Sequence, residues 1–109
     1  MDYGKGFYCR ICGYFDKEEP PWGEDGETPN HEMCVCCGIE FGLEDIGGLE
    51  HIISIREHWL TKMKGKWQSS FFGPPEDWDL EQQLKQIPKE FQGPDDLKIY
   101  AQLKAKKSR

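Results

Sequence analysis

Two cysteine pairs with the same internal spacing constrain this chain more than any other feature of its sequence. Cys9 and Cys12 form the first pair, Cys34 and Cys37 form the second, and 21 residues separate the two. A C-x2-C turn places two sulfurs on one side of a tight loop, and two facing turns offer four sulfurs to one tetrahedral ion. We therefore predict that these four cysteines bind a single structural metal ion.

The second pair contains a fifth thiol, Cys36. Cys34 and Cys37 keep the two-residue gap of the first pair, whereas Cys34 and Cys36 would leave a gap of one residue. We therefore predict Cys37 as the ligand and Cys36 as a packed or surface thiol. His31 lies three residues before Cys34 and could replace a cysteine, but a lone histidine in a polar loop is more often solvated.

Two metals suit four thiolates. Tetrahedral sulfur ligation holds either zinc or iron, and the stretches Cys12-Gly13-Tyr14 and Cys37-Gly38 resemble rubredoxin, which carries redox-active iron. Neither pair contains the proline usual in rubredoxin, and the chain continues for about 70 residues beyond the second pair. A closed set of four thiols without an open coordination position is typical of structural zinc, so we predict zinc and keep iron as the less favoured alternative.

The N-terminal residues and the hydropathy pattern bear on the compartment. Residues 1–7 contain neither the apolar core nor the cleavage site of a signal peptide, and no run approaches the roughly 18 apolar residues of a membrane helix. In a reducing compartment, paired cysteines hold metal more often than they form disulfides. We therefore expect a cytoplasmic protein that has no membrane partner.

The clearest predicted helix covers residues 49–64. Apolar side chains recur there at the i, i+3, i+4 spacing of one buried stripe, namely Leu49, Ile52, Ile53, Trp59, Leu60 and Met63. Arg56 interrupts the stripe, and we expect its aliphatic stem to cover apolar surface while its head reaches water. Gly65 can end the helix.

Two further helices are predicted from apolar spacing and proline positions. One runs from about residue 78 to residue 87 and is closed by Pro88, and the other runs from Pro94 to about residue 106. Between these helices and the first one, residues 66–78 form an aromatic loop that we expect to wrap back onto the first helix.

Residues 7–42 are predicted to form short strands and turns around the cysteines. The predicted fold is therefore a small α+β protein, with zinc-ribbon or rubredoxin-like N-terminal knuckles packed against a helical C-terminal part. We predict a zinc-ribbon module at residues 1–48 and a helical appendage at residues 49–109, together forming one compact domain.

The net charge of −6 is unevenly distributed. Residues 1–60 carry 13 acidic and 4 basic side chains, which gives −9, while residues 61–109 carry 7 acidic and 10 basic side chains, which gives +3. Four thiolates around a divalent ion would add −2 to the first half. Such a field repels phosphate backbones and attracts basic partners, although acidic residues can also serve solubility alone.

The cysteine-containing half resembles the small bacterial "cysteine-rich CPCC" family. The resemblance lies in Cys9-Arg10-Ile11-Cys12-Gly13-Tyr14, in Glu32-Met33-Cys34-Val35-Cys36-Cys37 with the following Glu40-Phe41, and in a helix with an aromatic residue and then a glycine, here Trp59 and Gly65. It implies a zinc ribbon of the kind associated with bacterial toxin–immunity loci, where a small cytosolic protein blocks a delivered toxin domain.

No arrangement of residues typical of an enzyme is present, so we predict a non-enzymatic protein-binding factor, most directly an immunity protein that neutralises a basic toxin domain. Acidic side chains would steer such a partner and aromatic ones would anchor it. The aromatic side chains of residues 59–72 could instead be core, and we expect this for Trp59. The candidate contacts are Glu24, Asp25, Glu27, Glu44, Asp45, Glu76, Asp77 and Trp78.

Two other functions stay open at this point. Lys62, Lys64, Lys66 and the basic C-terminal residues could make the protein a zinc-ribbon adaptor for nucleic acid or the ribosome, although the acidic half opposes this. The second alternative is a rubredoxin-like electron carrier. The oligomeric state does not follow from the sequence.

Overall fold

The computed structural model describes residues 3–107, with side chains to residue 105. Three α-helices follow the cysteine-containing segment, namely α1 (Leu49–Thr61), α2 (Leu80–Lys85) and α3 (Asp96–Lys107). Short 3-10 turns form at Lys5–Phe7 and Lys89–Phe91. The radius of gyration is 13.2 Å, close to the roughly 13 Å of a compact domain of this size.

The β-structure expected around the cysteines is reduced to single pairs. Within residues 3–107 the only β-pairing consists of isolated antiparallel bridges, Tyr8 with Phe15 and Met33 with Glu40. Each bridge closes the base of one cysteine turn, and the proline- and glycine-rich stretch between the turns prevents either pair from extending into a ladder. The α+β prediction is therefore right for the helices, but it overestimates the amount of β-strand.

Helix α1 matches the predicted helix but ends three residues early. Lys64 adopts a left-handed backbone with a φ of 60°, and the Gly65 amide donates back to the Trp59 carbonyl at 2.9 Å, which closes the helix end. Trp59 lies in the core as expected, together with Ile52 and Leu60. Leu49 is the exception, because it is 44% exposed at the first turn.

The expectation for Arg56 is wrong. Its side chain is fully buried, and the head does not reach water. The guanidinium donates through Nη1 to both carboxylate oxygens of Asp96, at 3.1 and 2.9 Å, and through Nε to the Ile11 carbonyl at 2.6 Å. Nη2 donates to the carbonyls of Arg10 at 2.6 Å and Phe91 at 2.7 Å. All three guanidinium nitrogens therefore have acceptors, and Arg56 ties the first cysteine turn to the start of α3.

Helices α2 and α3 are both present but begin later than predicted. Asp79 caps α2 by accepting from the amides of Glu81 at 3.0 Å and Gln82 at 3.4 Å, so the helix starts after residue 78. In α3, Asp96 is the first helical residue and Leu103 is buried. Helix α3 packs against both α1 and α2.

One hydrophobic core joins the cysteines to the helices. All five cysteines lie in the same cluster as Trp59 of α1 and Leu84 of α2. The helical part therefore packs directly on the cysteine turns, while the proposed boundary at residue 48 stays a prediction. Among the described residues, no helix has both the length and the apolar character that crossing a membrane requires.

Candidate metal centre

The first cysteine turn is held by its own backbone. The Cys9 amide donates to the Tyr14 carbonyl at 2.8 Å, and the Gly13 amide donates to the Cys9 carbonyl at 3.0 Å. The Ile11 amide points at the Cys9 sulfur at 3.4 Å, which stabilises negative charge on that sulfur. Gly13 has a φ of 83°, a left-handed conformation that favours glycine.

The second turn repeats this arrangement. The Cys34 amide donates to the Ile39 carbonyl at 2.7 Å, and the Gly38 amide donates to the Cys34 carbonyl at 2.9 Å. Gly38 has a φ of 84°, which matches Gly13. Two turns of the same conformation therefore present their cysteines to a common centre.

The four sulfurs of Cys9, Cys12, Cys34 and Cys37 meet between the turns. The Cys9 sulfur lies 3.7 Å from that of Cys37, and the Cys12 sulfur lies 3.6 Å from that of Cys34. All four sulfurs lie within 4.8 Å of one another, and all four residues are buried. A tetrahedral ion with bonds of about 2.3 Å needs sulfurs about 3.8 Å apart. The predicted clustering is confirmed, and the thiols fit a tetrahedral metal ion.

Cys36 and His31 lie outside this group. The Cys36 sulfur is buried and accepts from Gln83 Nε2 at 3.2 Å, so Cys36 is a packed thiol. His31 is exposed, and its Nδ1 faces a carboxylate oxygen of Glu40 at 3.8 Å. The two-residue gap therefore selects the clustered sulfurs correctly.

Burial makes the thiol cluster resist ionisation without a cation. Loss of hydration raises the pKa of Cys9 and raises the pKa of Cys12 and of Cys37 well above the usual thiol value. Burial also opposes ionisation of Cys34, but hydrogen bonds from the Cys12, Cys37 and Cys9 thiols outweigh it and hold the pKa of Cys34 well below its usual value. Three of the four thiols therefore resist ionisation when no cation is bound, and a cation is needed to hold all four as thiolates.

Glutamines from α2 and its C-terminal end support the first turn. Gln83 Nε2 donates to the Cys12 carbonyl at 3.0 Å, and Gln83 Oε1 accepts from Trp78 Nε1 at 2.7 Å. Gln86 Nε2 donates to the Gly13 carbonyl at 3.1 Å. The backbone of the turn therefore has polar partners on the helical side, which fixes the orientation of its sulfurs.

Arg10 covers the outer side of the first turn. Its guanidinium carbon lies 3.5 Å from the ring centroid of Trp22 and 4.4 Å from that of Phe91. Partial burial lowers the pKa of Arg10, and the charges of Asp45 and Glu90 oppose that shift. The stacking links the turn to the loop between the cysteine pairs and to the second 3-10 turn.

Sequence reasoning missed the supporting residues Arg56 and Gln83. Both are buried polar side chains that occupy apolar positions of a helical repeat, Arg56 within the stripe of α1 and Gln83 between Leu80 and Leu84. A polar residue at a position that the helical spacing predicts to be buried is the sequence signal for such a role. A buried polar side chain must have a hydrogen-bond partner, so the residue is expected to hold a neighbouring segment in place.

The two turn glycines give a matched stability test. A Cβ on Gly13 would lie 2.1 Å from the Gln83 carbonyl oxygen, whereas a Cβ on Gly38 would meet only the Gln68 side chain, at 3.3 Å. Both substitutions cost about 1–2 kcal/mol for the left-handed backbone, and Gly13→Ala should lose a further ~1–3 kcal/mol through overpacking against α2. Denaturant unfolding of both metal-loaded variants checks this, and equal losses would contradict the close approach of α2.

One of the predicted partner contacts is wrong. Asp45 is fully buried, with Oδ2 accepting from Trp22 Nε1 at 2.8 Å and Oδ1 accepting from the Gly42 amide at 2.7 Å. A side chain with no exposed surface cannot contact another protein. Asp45 instead fixes the loop between the cysteine pairs to the segment after the second pair.

The other seven predicted partner contacts lie wholly or partly on the surface. Trp78 is half-buried, and its ring packs edge-on against Trp67 with centroids 5.3 Å apart. Asp25 is exposed but also caps its own turn by accepting from the Glu27 amide at 2.8 Å. The remaining candidates are exposed, namely Glu24, Glu27, Glu44, Glu76 and Asp77.

Comparison of the chain with protein-family models, with curated proteins and with solved structures gives no significant match. The resemblance to the CPCC family stays a prediction, carried by the residues of the two cysteine turns.

Proposed function

We propose that the protein is a zinc-stabilised protein-binding factor, with zinc held by Cys9, Cys12, Cys34 and Cys37. The observation that carries the metal assignment is the spacing of four buried sulfurs at the distances a tetrahedral ion needs. Four protein ligands leave no open coordination position for a substrate, so the ion would act on folding and not on chemistry.

We further propose that the bound partner is a toxin domain and that the protein acts as its immunity protein. The proposal is supported by the resemblance of the cysteine turns to the CPCC family and by the net charge of −9 in residues 1–60. Exposed carboxylates such as Glu24 and Glu27 on the loop between the cysteine pairs would steer a basic toxin surface toward the protein.

Metal analysis tests the first part of the proposal. Protein purified without added metal should contain one zinc ion per chain and have no visible absorption, since the d shell of Zn²⁺ is full. Iron–thiolate absorption that bleaches reversibly on reduction would instead support the rubredoxin-like electron carrier. Absence of any bound transition metal in a folded preparation would contradict the metal site itself.

A growth assay tests the second part. An immunity protein is normally encoded beside its target, so the product of an adjacent gene should arrest growth when expressed alone, and co-expression of this protein should restore growth. Direct binding of the two purified proteins should accompany the rescue. Adjacent genes without any growth-arresting product would contradict the immunity role.

The nucleic-acid alternative depends on Lys62, Lys64 and Lys66, which are exposed around the end of α1. A salt-dependent affinity for RNA or DNA tighter than about micromolar would favour it, and such an affinity is not expected beside the acidic N-terminal half.

A further inference from the structure

We propose that the groove between the second cysteine turn and the loop at residues 69–72 binds a basic, partly apolar segment of the protein partner. We call it the phenylalanine groove and define it by Phe71, Phe72 and Met33 with the carboxylates of Asp16, Glu19 and Glu32, all of which line one cavity of about 630 Å³. The inference rests on the proposed protein-binding function and names the binding face and the chemistry of the bound segment.

The apolar part of the groove is unusually exposed. Phe71 is 90% exposed, Phe72 is 68% exposed and Met33 is 59% exposed, although all three are side chains that normally enter a core. Large apolar residues gathered at one concave site mark binding surfaces more often than isolated exposed ones do. Phe71 and Phe72 are therefore not core residues, and they have the chemistry of interface anchors.

The loop that carries the two phenylalanines is held in place before any partner binds. Ser69 Oγ accepts from the amides of Phe71 at 3.2 Å and Phe72 at 3.1 Å. The Trp67 indole donates to the Phe72 carbonyl. Because the loop is already ordered, a partner would lose less conformational entropy on contacting these rings.

The same loop is joined to the second cysteine turn. The Gln68 amide donates to the Cys36 carbonyl at 2.9 Å, and the Ser69 amide donates to the Val35 carbonyl at 2.9 Å. One wall of the groove is therefore built on the metal-binding turn. The metal would hold the groove in shape without touching the bound segment.

The charge of the groove indicates the chemistry of the segment that it would bind. Three carboxylates, from Asp16, Glu19 and Glu32, line the groove, and no lysine, arginine or histidine from the described part of the chain lines it. This sign repels phosphate groups and attracts lysine and arginine, whose cationic heads also stack on phenylalanine rings. A protein segment that combines arginine or lysine with leucine or an aromatic residue matches both the carboxylates and the rings.

Peptide titration tests the inference directly. Isotope-labelled, zinc-loaded protein is titrated with a synthetic peptide of alternating arginine and leucine and with its glutamate–leucine counterpart, and binding is followed by amide chemical shifts. We expect the arginine–leucine peptide alone to bind, with the largest shifts at residues 69–72 and at Met33. Equal binding of both peptides, no binding of either, or shifts confined to other surfaces would overturn the inference.

Surface variants separate the groove from general hydrophobicity. Met33 and Leu43 are both 59% exposed, but only Met33 lines the groove. Phe71→Ser should weaken peptide affinity at least tenfold and Met33→Ser several-fold, while Leu43→Ser should leave it unchanged. Equal weakening by Met33→Ser and Leu43→Ser would overturn the inference, as would a dimer in sedimentation that Phe71→Ser dissociates, because a second copy would then occupy the groove.

The growth assay distinguishes failure of the groove from failure of the immunity role. If the wild-type protein restores growth and the Phe71→Ser/Phe72→Ser variant restores it equally, the groove assignment is wrong while the proposed function stands. If the wild-type protein does not restore growth, the immunity role is wrong, and the peptide titration alone decides the groove.

Discussion

Cys12→Ser is expected to abolish metal binding and to unfold residues 7–42. Structural zinc supplies roughly 10–16 kcal/mol of apparent binding free energy, which is comparable to the roughly 5–15 kcal/mol of total stability in a typical domain. Cys12 is fully buried in the same core as Trp59 and Leu84. Losing the ion should therefore loosen the packing of α1 and α2 as well as the cysteine turns.

The fifth thiol provides the matched control for this prediction. Cys36 is as buried as Cys12 and belongs to the second turn, but its sulfur lies outside the group of four. Cys36→Ser should keep one metal ion per chain, because the serine hydroxyl can still accept from Gln83 Nε2. Elemental analysis, circular dichroism and hydrogen exchange measure both variants, and a folded Cys12→Ser protein that retains its metal would refute the ligand assignment.

Stripping the metal from the wild-type chain should reproduce the effect of Cys12→Ser. Amides such as those of Cys9 and Cys34, which donate within the two turns, should lose their protection from hydrogen exchange after chelation. The ligands must be deprotonated to bind, so readdition of zinc should release protons and restore protection. Unchanged exchange in the metal-free protein would show that the ion does not stabilise the fold.

The features that the sequence predicts well are those set by short-range geometry. The two-residue gap fixes the shape of each cysteine turn, so Cys37 and not Cys36 joins the cluster. The i, i+3, i+4 spacing likewise predicts α1 and the burial of Ile52, Trp59 and Leu60. In each case the residues that determine the local structure lie close together along the chain.

The features that the sequence does not predict depend on partners far along the chain. Asp45 looks like any solvated carboxylate until Trp22, 23 residues earlier, is seen to donate to it. The exposure of Phe71 and Phe72 also does not follow from the sequence. An aromatic side chain can occupy either a core position or a binding surface, and only the packing around it shows which.

Arg56 is the strongest case of such a long-range partner, and its removal is expected to cost about 3–5 kcal/mol. Its ion-pair partner Asp96 lies 40 residues away along the chain and is itself buried. Arg56→Met would leave the Asp96 carboxylate without its cation and would leave the Arg10 and Ile11 carbonyls without donors.

The exposed pair of Lys85 and Glu81 is the matched control for this substitution. Their charged groups lie 3.5 Å apart in an i, i+4 pair, and both side chains are nearly half exposed. Lys85→Met should therefore cost only about 0.3–0.5 kcal/mol. Denaturant unfolding of the zinc-loaded proteins measures both losses, and similar values for Arg56→Met and Lys85→Met would show that the buried pair does not stabilise the fold.

A second measurement links Arg56 to the metal centre. Because Arg56 holds the carbonyls of Arg10 and Ile11, between the two ligands of the first turn, its loss should let that turn open more often. Zinc transfer to a colorimetric chelator should therefore be faster from Arg56→Met than from Lys85→Met under conditions where both remain folded. Equal rates of zinc transfer from the two variants would show that Arg56 stabilises the packing of α1 against α3 but does not hold the metal ligands in place.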